Sequence, residues 1–517
     1  MAAEAPNTDR TGAEGGAGLS LHLDRCGDWT ALRRALEASG YTEEALTKDV
    51  IDGDSGRPID LPIALRATAK PSPYHTLARL FTLARAVGEA AAREALAPMS
   101  LEELLDAGLL RRCPEGIRSQ VALLPGEGVL LARDFWPDFV GSRLEADWVM
   151  GASPSSRWAA RLVVRRAGER ALDLGTGSGY LALLAARHAA HVVATDVNPR
   201  ALAIAALSAR LNGMANIEVR QGSLYEPVAG EAFDLVMSNP PYVISPESQY
   251  QYRDGGLPGD SLAERLIREA PAHLAEGGFC SIVFDWYHER DDDWAERPRR
   301  WVEAAGCDAW LLRARGHSPL SYSAMWLSSG FPARDAGQME RTLDAWLAYY
   351  ERLGIRRLSS GVFILRRRTA RSHWFHADEM PKGWPENPCS SQIQRVFAAH
   401  DLLADLGGDR RLLGLRFVLT PEHRLVQFLH AEEGHWCLSS AHFAQTEGMS
   451  FVGNIDQFVS SLLAGCDGTR TLGELAADLA KRTGADPEKV GPSAAAVFRK
   501  FLETGFLTVA KSDEKAP

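Results

Sequence analysis

The sequence of 517 residues lacks several features that would assign it to a special class of protein. No apolar run approaches the roughly 20 residues that a membrane-spanning helix needs. The seven cysteines include no C-x-x-C pair and form neither a disulfide framework nor a zinc-finger spacing. The first residues contain neither the basic nor the apolar region of a signal peptide. These absences predict a protein of a reducing compartment, and we expect it in the cytoplasm, with no membrane partner.

An excess of positive charge is also missing. The 57 Lys and Arg residues are outnumbered by 67 Asp and Glu residues, which gives a formal net charge of -10. This charge argues against non-specific nucleic-acid binding as the main role, although a local basic patch remains compatible with it. Hydrophobic residues make up 45% and charged residues 24%, the balance of an ordinary globular protein. The length implies about three domains.

The chain does contain an organising stretch at residues 171–199, ALDLGTGSGYLALLAARHAAHVVATDVNP. Its pattern of strand, glycine turn, helix and second strand is that of a compact βαβ nucleotide-binding unit. Glycines let the backbone turn tightly and approach a ligand where a Cβ atom would collide. A tight turn without a ligand would use the same glycines, so the turn alone leaves both interpretations open. The turn and its predicted ligand contacts comprise Asp173, Gly175, Thr176, Gly177 and Gly179.

Acidic residues at both strand ends favour a ligand. Asp196 stands about 20 residues beyond the turn, where a carboxylate can accept hydrogen bonds from both hydroxyls of a ribose. Asp173 opens a D-x-G-x-G-x-G turn, unlike the G-x-G-x-x-G of dinucleotide-binding folds. Its carboxylate would repel a phosphate and suit a ligand that carries an ammonium group. Asn198, a predicted cap of the next helix, completes this group of expected ligand contacts.

A second motif follows another apolar strand at residues 233–237. It reads Asn239, Pro240, Pro241 and Tyr242. In an open α/β sheet, ligands bind beyond the carboxyl ends of the strands, so the two motifs should meet. The prolines restrict the backbone and hold two acceptors, the Asn239 amide and the Pro240 carbonyl, while Tyr242 offers a stacking face. Standing alone, N-P-P-Y would favour a rigid turn after a strand. Its place behind the glycine turn favours catalysis.

Together, DLGTGSG, ATD and NPPY resemble the motifs of class I S-adenosylmethionine-dependent methyltransferases that act on planar NH2 nitrogens. That group includes release-factor glutamine N5-methyltransferases, adenine N6-methyltransferases and guanine N2-methyltransferases of ribosomal RNA. The resemblance covers about residues 140–368. It implies S-adenosylmethionine as cofactor and an α/β fold with a seven-stranded, doubly wound, Rossmann-like sheet. Many members carry an acidic residue after the third strand for the adenine amino group, whereas this chain has Gln221, Gly222 and Ser223. We expect Gly222 and Ser223 to lie at that position.

The flanking sequence predicts further domains. Thr42 and Ser100 are expected helix caps in a helical N-terminal region that ends in a hairpin, a winged-helix-like pattern. Few Lys or Arg residues occupy its candidate recognition helix, which favours packing or protein recognition over nucleic-acid binding. The C-terminal region is α+β, with strands followed by a helical, winged-helix-like segment in which Thr471 caps a helix. The predicted boundaries are a disordered tail at 1–18, an N-terminal domain at 19–134, a methyltransferase domain at 135–368 with an insertion at 317–358, a linker at 369–395 and a C-terminal domain at 396–517.

Other groups allow two interpretations. Asp254 and Asp260, in the loop after NPPY, could orient the acceptor or cap the next helix and its turn. The insertion could wall the substrate entrance or cover a sheet edge. The run at residues 366–368, with Arg371, could contact a phosphate or be solvated. A final set has zinc-ligand residue types, but strand alternation would scatter them over both faces, so we predict no metal. It comprises His430, His435, Cys437 and His442.

These residues predict direct methyl transfer. An amide or aryl nitrogen is a poor nucleophile because its lone pair is conjugated. Holding the NH2 group in line and stabilising the positive charge that develops on nitrogen lowers the barrier without a strong base. We expect a macromolecular acceptor, most simply a glutamine side-chain amide of a protein such as a release factor. The alternatives are a nucleic-acid adenine N6 or guanine N2 methyltransferase and a non-catalytic, cofactor-sensing module that binds peptide or RNA.

Overall fold

The computed structural model describes residues 19–52, 59–140, 144–291, 293–303, 305–328 and 336–510. The predicted disordered tail, residues 1–18, lies outside the described residues, as does part of the insertion. The chain divides into two compact units, Met1–Ser142 with Leu207–Gly213, and Arg143–Ala206 with Met214–Pro517. The glycine turn and the NPPY motif both belong to the second unit. No helix in the described ranges combines the length and apolar character needed to cross a membrane.

The first unit consists of short helices followed by two hairpins. Two predicted caps are confirmed, since the side chains of Thr42 and Ser100 accept hydrogen bonds from main-chain N–H groups in the first turn of their helices. The helices are α1 Trp29–Ala38, α2 Glu43–Asp49, α3 Leu61–Ala67, α4 Pro73–Phe81, α5 Glu89–Leu96, α6 Leu101–Asp106 and α7 Pro137–Val140. The strands are β1 Leu110–Cys113, β2 Gly116–Ser119, β3 Ala122–Gly126 and β4 Val129–Arg133, and the antiparallel pairs are β1–β2 and β3–β4.

The second unit is built on one large sheet, with smaller sheets and helices after it. The strands of the large sheet are β5 Arg170–Leu174, β6 His191–Asp196, β7 Ile217–Gln221, β8 Phe233–Ser238, β9 Leu274–His288, β10 Cys307–His317, β11 Arg357–Arg367 and β12 Phe375–Glu379. The helices along this part of the chain are α8 Pro154–Arg161, α9 Tyr180–Ala185, α10 Pro199–Leu211, α11 Ser261–Glu269, α12 Glu296–Val302, α13 Pro319–Ser328 and α14 Ala336–Arg352. The last residues of α10 are grouped with the first unit.

The large sheet has the order β12-β10-β11-β9-β8-β5-β6-β7. Strands β5, β6, β7, β8 and β9 are parallel to their neighbours among themselves, and β11 is antiparallel to both β9 and β10. This is the α/β, Rossmann-like sheet that the sequence predicts. The central parallel strands β5, β6 and β8 are mostly buried, as expected where helices cover both faces of a sheet.

The predicted number of seven strands is wrong, because β12 adds an eighth. It pairs in parallel with β10, from Ala309 opposite Phe375 to Arg313 opposite Glu379. Without it, β10 would be an edge strand whose unpaired N–H and C=O groups border buried residues. The segment FHADE is short, ends in two acidic residues and lies within the predicted linker at 369–395, so the pairing was not predicted.

A continuous apolar layer supports this sheet. Large aromatic side chains from β9, β11 and α12 meet in it, and Phe284, Trp286 and Phe363 are completely buried. Burying a large apolar side chain contributes roughly 1.5–3 kcal/mol. The strands that carry the two motifs therefore rest on a rigid base.

The C-terminal part contains the predicted strands and helices. Thr471 and Glu474 form a capping box at the start of one helix, which confirms the predicted cap. The winged-helix-like assignments of both flanking regions stay predictions. The helices are α15 Ser390–Leu406, α16 Asp409–Leu412, α17 Gln457–Ala464, α18 Leu472–Thr483 and α19 Pro487–Glu503. The strands are β13 Arg416–Leu419, β14 His423–Glu432, β15 His435–Gln445, β16 Val452–Ile455, β17 Asp467–Thr471 and β18 Leu507–Val509, in two sheets ordered β17-β13-β18 and β14-β15-β16.

Candidate active site

The glycine turn after β5 is left-handed at all three glycines, with φ of 68° at Gly175, 55° at Gly177 and 87° at Gly179. A Cβ atom on Gly179 would lie 3.2 Å from both Cα and Cβ of Ala205, so this glycine allows α10 to approach. A Cβ atom on Gly175 or Gly177 would meet nothing within 4 Å. The backbone at these two positions therefore borders open space, as a ligand-binding turn requires.

Asp173 is buried beneath the turn. Its Oδ2 accepts hydrogen bonds from Thr176 Oγ1 at 2.7 Å and from Ala182 N at 3.0 Å. Its Oδ1 is buried and has no hydrogen-bond partner within the described residues. Burial raises the pKa of this carboxyl to about 7. A buried acceptor that lacks a donor is costly, and a cationic donor would remove that cost.

Asp196 joins the end of β6 to the glycine turn. Its Oδ2 accepts from Gly177 N at 2.9 Å, and its Oδ1 accepts from Asn198 N at 2.9 Å. Burial raises the pKa of this carboxyl. Each carboxylate oxygen can accept a second hydrogen bond, so two acceptor positions remain for ligand hydroxyls.

Asn198 uses its side chain within the protein. Its Nδ2 donates to Asp147 O at 2.7 Å, and its Oδ1 accepts from Arg200 N at 2.9 Å. The second bond caps α10 as predicted, and the first fixes the segment before α8. A further contact from Asn198 to the cofactor stays a prediction.

The loop after β7 has little steric freedom. Gly222 N donates to Asp196 O at 3.1 Å, and a Cβ atom on Gly222 would lie 2.4 Å from Pro227 Cγ. Ser223 O accepts from Glu226 N at 3.0 Å, which closes the turn. Only glycine fits the first of these positions. The half-buried Ser223 lies beside it, and its adenine contact stays a prediction.

The NPPY motif meets the glycine turn because β5 and β8 are neighbours, with Leu174 opposite Ser238. Ser238 Oγ donates to Leu174 O at 2.7 Å and ties the two strand ends together. Asn239 Nδ2 donates to Ser155 Oγ at 3.2 Å and to Ser156 Oγ at 3.0 Å. Asn239 Oδ1 is buried and has no hydrogen-bond partner within the described residues. One acceptor of the motif is thus oriented and still available.

The two serines that orient Asn239 were not identified from the sequence. They stand in the first turn of α8, whose cap Ser153 accepts from Ser156 N at 3.1 Å. The only sequence signal was the run S-P-S-S, which is typical of a helix cap. It does not indicate that two of its hydroxyls also bind Asn239. Helix α8 ends at Arg161.

Tyr242 is half-buried and packs against the insertion. Its ring centroid lies 6.2 Å from that of Trp326 on α13, at an interplanar angle of 68°. Burial raises the pKa of Tyr242 above its ordinary value, so its hydroxyl stays protonated. The ring has the edge-to-face geometry favoured by aromatic pairs.

The insertion also holds the chain directly after the motif. Tyr322 Oη on α13 accepts from Ile244 N at 3.1 Å and donates to Asp285 Oδ2 at 2.6 Å. Tyr350 Oη on α14 donates to Ile244 O at 2.8 Å. Burial raises the pKa of Asp285 to about 7. Both main-chain groups of Ile244 are therefore bound by the insertion, which favours its interpretation as a wall of the substrate entrance.

The Asp254 carboxylate is engaged within its own loop. Its Oδ2 accepts from Gln249 N at 3.0 Å and Tyr250 N at 3.1 Å, and its Oδ1 accepts from Arg253 Nε at 2.8 Å. The carboxylate is buried and stabilises the loop in which it lies. These bonds go to the residues before it and not to the helix after it, so the predicted capping of that helix is not what its side chain does.

Asp260 does not cap α11 as one of its two interpretations expected. Its side chain makes no cap hydrogen bond to α11. It forms a buried ion pair with Arg297, whose Nη2 donates to Oδ1 at 2.7 Å, and it accepts from Tyr287 N at 3.3 Å. A carboxylate removed from water needs a charged partner, and Arg297 supplies one.

The arginine run at the end of β11 is engaged within the protein. Arg366 Nη2 lies 2.6 Å from both Asp308 Oδ2 and Asp401 Oδ1, and Arg368 Nε lies 3.0 Å from Asp308 Oδ2. Arg367 Nη1 donates to two main-chain carbonyls. The phosphate-contact interpretation is therefore not supported for these three residues.

The histidine and cysteine set lies on the β14–β15 hairpin. His430 stands opposite Cys437, and its Nδ1 lies 2.8 Å from Ser439 Oγ. His435 and His442 occupy other rungs of the ladder. Within the described structure, the four do not come together as a group at metal-ligating distance.

Comparison with known proteins agrees with this geometry. Residues 155–290 match the family model described as Methyltransferase small domain. Residues 60–120 and 394–509 match two domains of unknown function, DUF7059 and DUF7782. The resemblance to methyltransferases stated from the motifs is therefore confirmed for the segment that contains them.

Several curated relatives are glutamine methyltransferases. A ribosomal protein uL3 glutamine methyltransferase of Bradyrhizobium diazoefficiens is 35% identical over 163 residues, 28% of this chain and 51% of that protein. A release factor glutamine methyltransferase of Xylella fastidiosa is 39% identical over 129 residues, 23% of this chain and 47% of that protein. A release factor glutamine methyltransferase of Cereibacter sphaeroides is 46% identical over 121 residues, 21% of this chain and 43% of that protein. The chain thus spans about half the length of these relatives, or somewhat less.

Proposed function

We propose that this protein is an S-adenosylmethionine-dependent N-methyltransferase that methylates a glutamine side-chain amide of another protein. The observation that carries the proposal is the Asn239 side chain, whose Nδ2 is held by Ser155 and Ser156 while its buried Oδ1 lacks a partner. Such an acceptor fits a substrate NH2 group. The names of the relatives support glutamine as the source of that group.

The cofactor would be held by the residues of the glycine turn and the two acidic strand ends. The unpartnered Oδ1 of Asp173 and the open space at Gly175 and Gly177 fit a ligand with an ammonium group. The spare acceptor positions of Asp196 fit ribose hydroxyls. When bound, S-adenosylmethionine supplies an electrophilic methyl group.

The chain's own contribution to the reaction is positioning. Asn239 Oδ1 and the Pro240 carbonyl would each accept one hydrogen of the substrate NH2 group, and Tyr242 would flank its plane. Both acceptors stabilise the positive charge that develops on nitrogen, which then releases one proton to water. Holding the nitrogen in line supplies on the order of 7–11 kcal/mol through proximity. No strong base is needed.

A protein acceptor fits this chain better than a nucleic acid. The net charge of -10 is unfavourable for binding a polyanion, and the arginine run after β11 is already paired with carboxylates and carbonyls. We infer that the flanking regions, 19–134 and 396–517, contribute to binding the protein acceptor. The cytoplasmic location stays a prediction.

Methyl transfer with isotope-labelled S-adenosylmethionine to a cell extract tests this function. We expect label in protein, with mass spectrometry of the labelled species locating one added methyl group on a glutamine. The Asn239→Ala variant provides the matched control, because it should bind cofactor and transfer no label. Label found in RNA stripped of protein, and in no protein, would establish the base-methylating alternative. Cofactor binding without any labelled product would establish a cofactor-sensing module.

A further inference from the structure

Two histidines and a glutamate meet in the second unit, away from the cleft. The potential ligand atoms of His376, His400 and Glu503 all lie within 4.8 Å of one another. They come from three separate elements, since His376 lies on β12, His400 on α15 and Glu503 at the end of α19. A site assembled from three elements depends on the tertiary fold and not on a local sequence spacing.

The polar atoms of the three side chains are not engaged by other described residues. Within the described part of the chain, no hydrogen bond or ion pair engages any of them. His400 is buried, with its ring centroid 4.3 Å from that of His376 and 4.1 Å from that of Trp374. Imidazole nitrogens and carboxylate oxygens are common ligands of transition-metal ions.

A second contact fixes the helix against the strand. Lys500 Nζ, one turn before Glu503, lies 3.9 Å from Asp378 Oδ1, two residues after His376. Asp378 Oδ2 also accepts from Trp310 Nε1 at 2.9 Å. These contacts place α19 beside β12 next to the cluster.

We propose that His376, His400 and Glu503 form a binding site for a divalent transition-metal ion of the zinc type. Two imidazoles and one carboxylate are the protein ligands of many three-ligand zinc sites, with water in the fourth position. Ligand atoms around a tetrahedral zinc ion stand about 3.3 Å apart, so the cluster must contract by up to about 1.5 Å. Glu503 is half-buried at a helix end and can supply most of that movement.

The ion would connect α15 and α19 to the edge strand of the large sheet without taking part in methyl transfer. Strands β12 and β8 run in the same direction, and His376 is near the start of β12 whereas Asn239 follows the end of β8. Four strand spacings, about 19 Å, also separate the two strands across the sheet. Binding of the ion should therefore be detected as metal affinity and as a change in thermal stability, not as a change in methyl transfer.

Zinc titration of the full-length, chelator-treated protein tests the site, with a chromophoric chelator as competitor. We expect one tightly bound Zn²⁺ and a rise in Tm on addition of the ion. Glu503→Gln, an isosteric change at a half-buried position, should weaken zinc binding by at least about tenfold and remove the rise in Tm. His376→Ala should do the same. Glu488→Gln on the same helix is the matched control and should leave both unchanged.

Cobalt substitution separates this site from the hairpin that carries Cys437. With His376, His400 and Glu503 as ligands, the Co²⁺ protein should show ligand-field absorption without a thiolate charge-transfer band. Loss of zinc binding in Cys437→Ser, a thiolate band with cobalt, or equal zinc affinity in wild type and Glu503→Gln would each overturn the proposal.

Discussion

At the scale of single residues, two buried oxygen atoms of the candidate site, Oδ1 of Asn239 and Oδ1 of Asp173, find no hydrogen-bond partner among the described residues. A buried acceptor that lacks a donor lowers the stability of the folded protein by about 1–3 kcal/mol. Such an atom therefore calls for an explanation, for example a ligand that supplies the donor. Both atoms belong to motifs that bind ligands in the proposed function. Each therefore leads to a specific expectation about a substitution.

Asn239→Ala should reduce kcat on the order of 100-fold or more while leaving cofactor affinity nearly unchanged. The side chain contacts the acceptor nitrogen in the proposed reaction, so its loss should appear in the chemical step. Single-turnover methyl transfer and calorimetry with the cofactor measure the two quantities separately. A collapse of cofactor binding would instead make Asn239 a structural residue of the cleft.

Asp196→Ala should weaken cofactor binding by roughly 1.5–3 kcal/mol, because two charged acceptor positions for hydroxyls are lost. The substitution also removes the acceptor of Gly177 N, so part of the effect acts through the turn. Calorimetry gives the affinity, and circular dichroism checks that the fold is kept. Unchanged affinity would contradict the assignment of Asp196 to the ribose.

Asp173 should make the stability of the cofactor-free protein depend on pH. Its pKa is raised from 3.8 to about 7 in the folded state, so the folded protein holds this proton more tightly than the unfolded chain does. The stabilisation is complete below pH 4 and is lost as the pH rises through 7. Asp173→Asn mimics the protonated form, and it should stabilise the cofactor-free protein at pH 8 by roughly 1–4 kcal/mol.

The same substitution should weaken cofactor binding, since the ligand's ammonium group loses its charged partner. Denaturant unfolding at pH 5 and pH 8, with and without cofactor, measures both effects. Equal stability of wild type and Asp173→Asn at pH 8 would show that the carboxyl is not destabilised by burial.

At the scale of elements, the insertion helices α13 and α14 set the conformation of the chain after NPPY. Tyr350→Phe leaves Ile244 O without its donor, which should cost about 1–3 kcal/mol of stability. Because Ile244 follows the motif by two residues, KM for the acceptor should also rise. Cofactor affinity should stay the same.

Tyr74→Phe is the control for that variant. Tyr74 Oη donates to the Ala45 carbonyl at 2.9 Å in the first unit, so a comparable bond is lost. It should lower stability without changing KM. An equal change of KM in both variants would show that the effect of Tyr350→Phe is one of general destabilisation.

At the scale of the whole molecule, the segment after β12 is packed on the helix that orients Asn239. The rings of Trp158 on α8 and Trp384 are stacked at 4.7 Å. Cys389 N donates to Arg161 O at 2.7 Å, and Arg161 Nη1 donates to Pro385 O at 3.0 Å. The C-terminal region thus supports α8 in addition to any contact with an acceptor.

Removal of residues 380–517 should therefore lower stability and impair methyl transfer even to a short glutamine peptide. The loss of partners for α8 frees the serines that hold the Asn239 amide. Thermal unfolding and peptide methylation measure the two effects. The point variant Trp384→Ala should act in the same direction, whereas Trp436→Ala, at a side chain that is 74% exposed, should not. A soluble truncated protein with full peptide activity would show that α8 holds its position alone.

The sequence by itself determined the parts of this protein whose signal is local. The glycine turn, the acidic end of β6 and the NPPY turn lie at fixed distances along the chain, and their backbone requirements admit few residue types. The cap at Thr471 and the strand character of β5, β6 and β8 followed for the same reason. These features were enough to predict the fold class and the resemblance to methyltransferases.

Tertiary structure alone decided which distant residues meet. Strand β12 pairs with β10 and satisfies the main-chain N–H and C=O groups along that edge, although the short segment FHADE was predicted to lie in a linker. Ser155 and Ser156 became the partners of Asn239, and Asp260 became the partner of Arg297, across separations of 84, 83 and 37 residues. A buried polar group must form a hydrogen bond or an ion pair, and the packing of the chain determines which partner lies close enough. Such long-range pairs have no fixed spacing along the chain, so the sequence alone does not predict them.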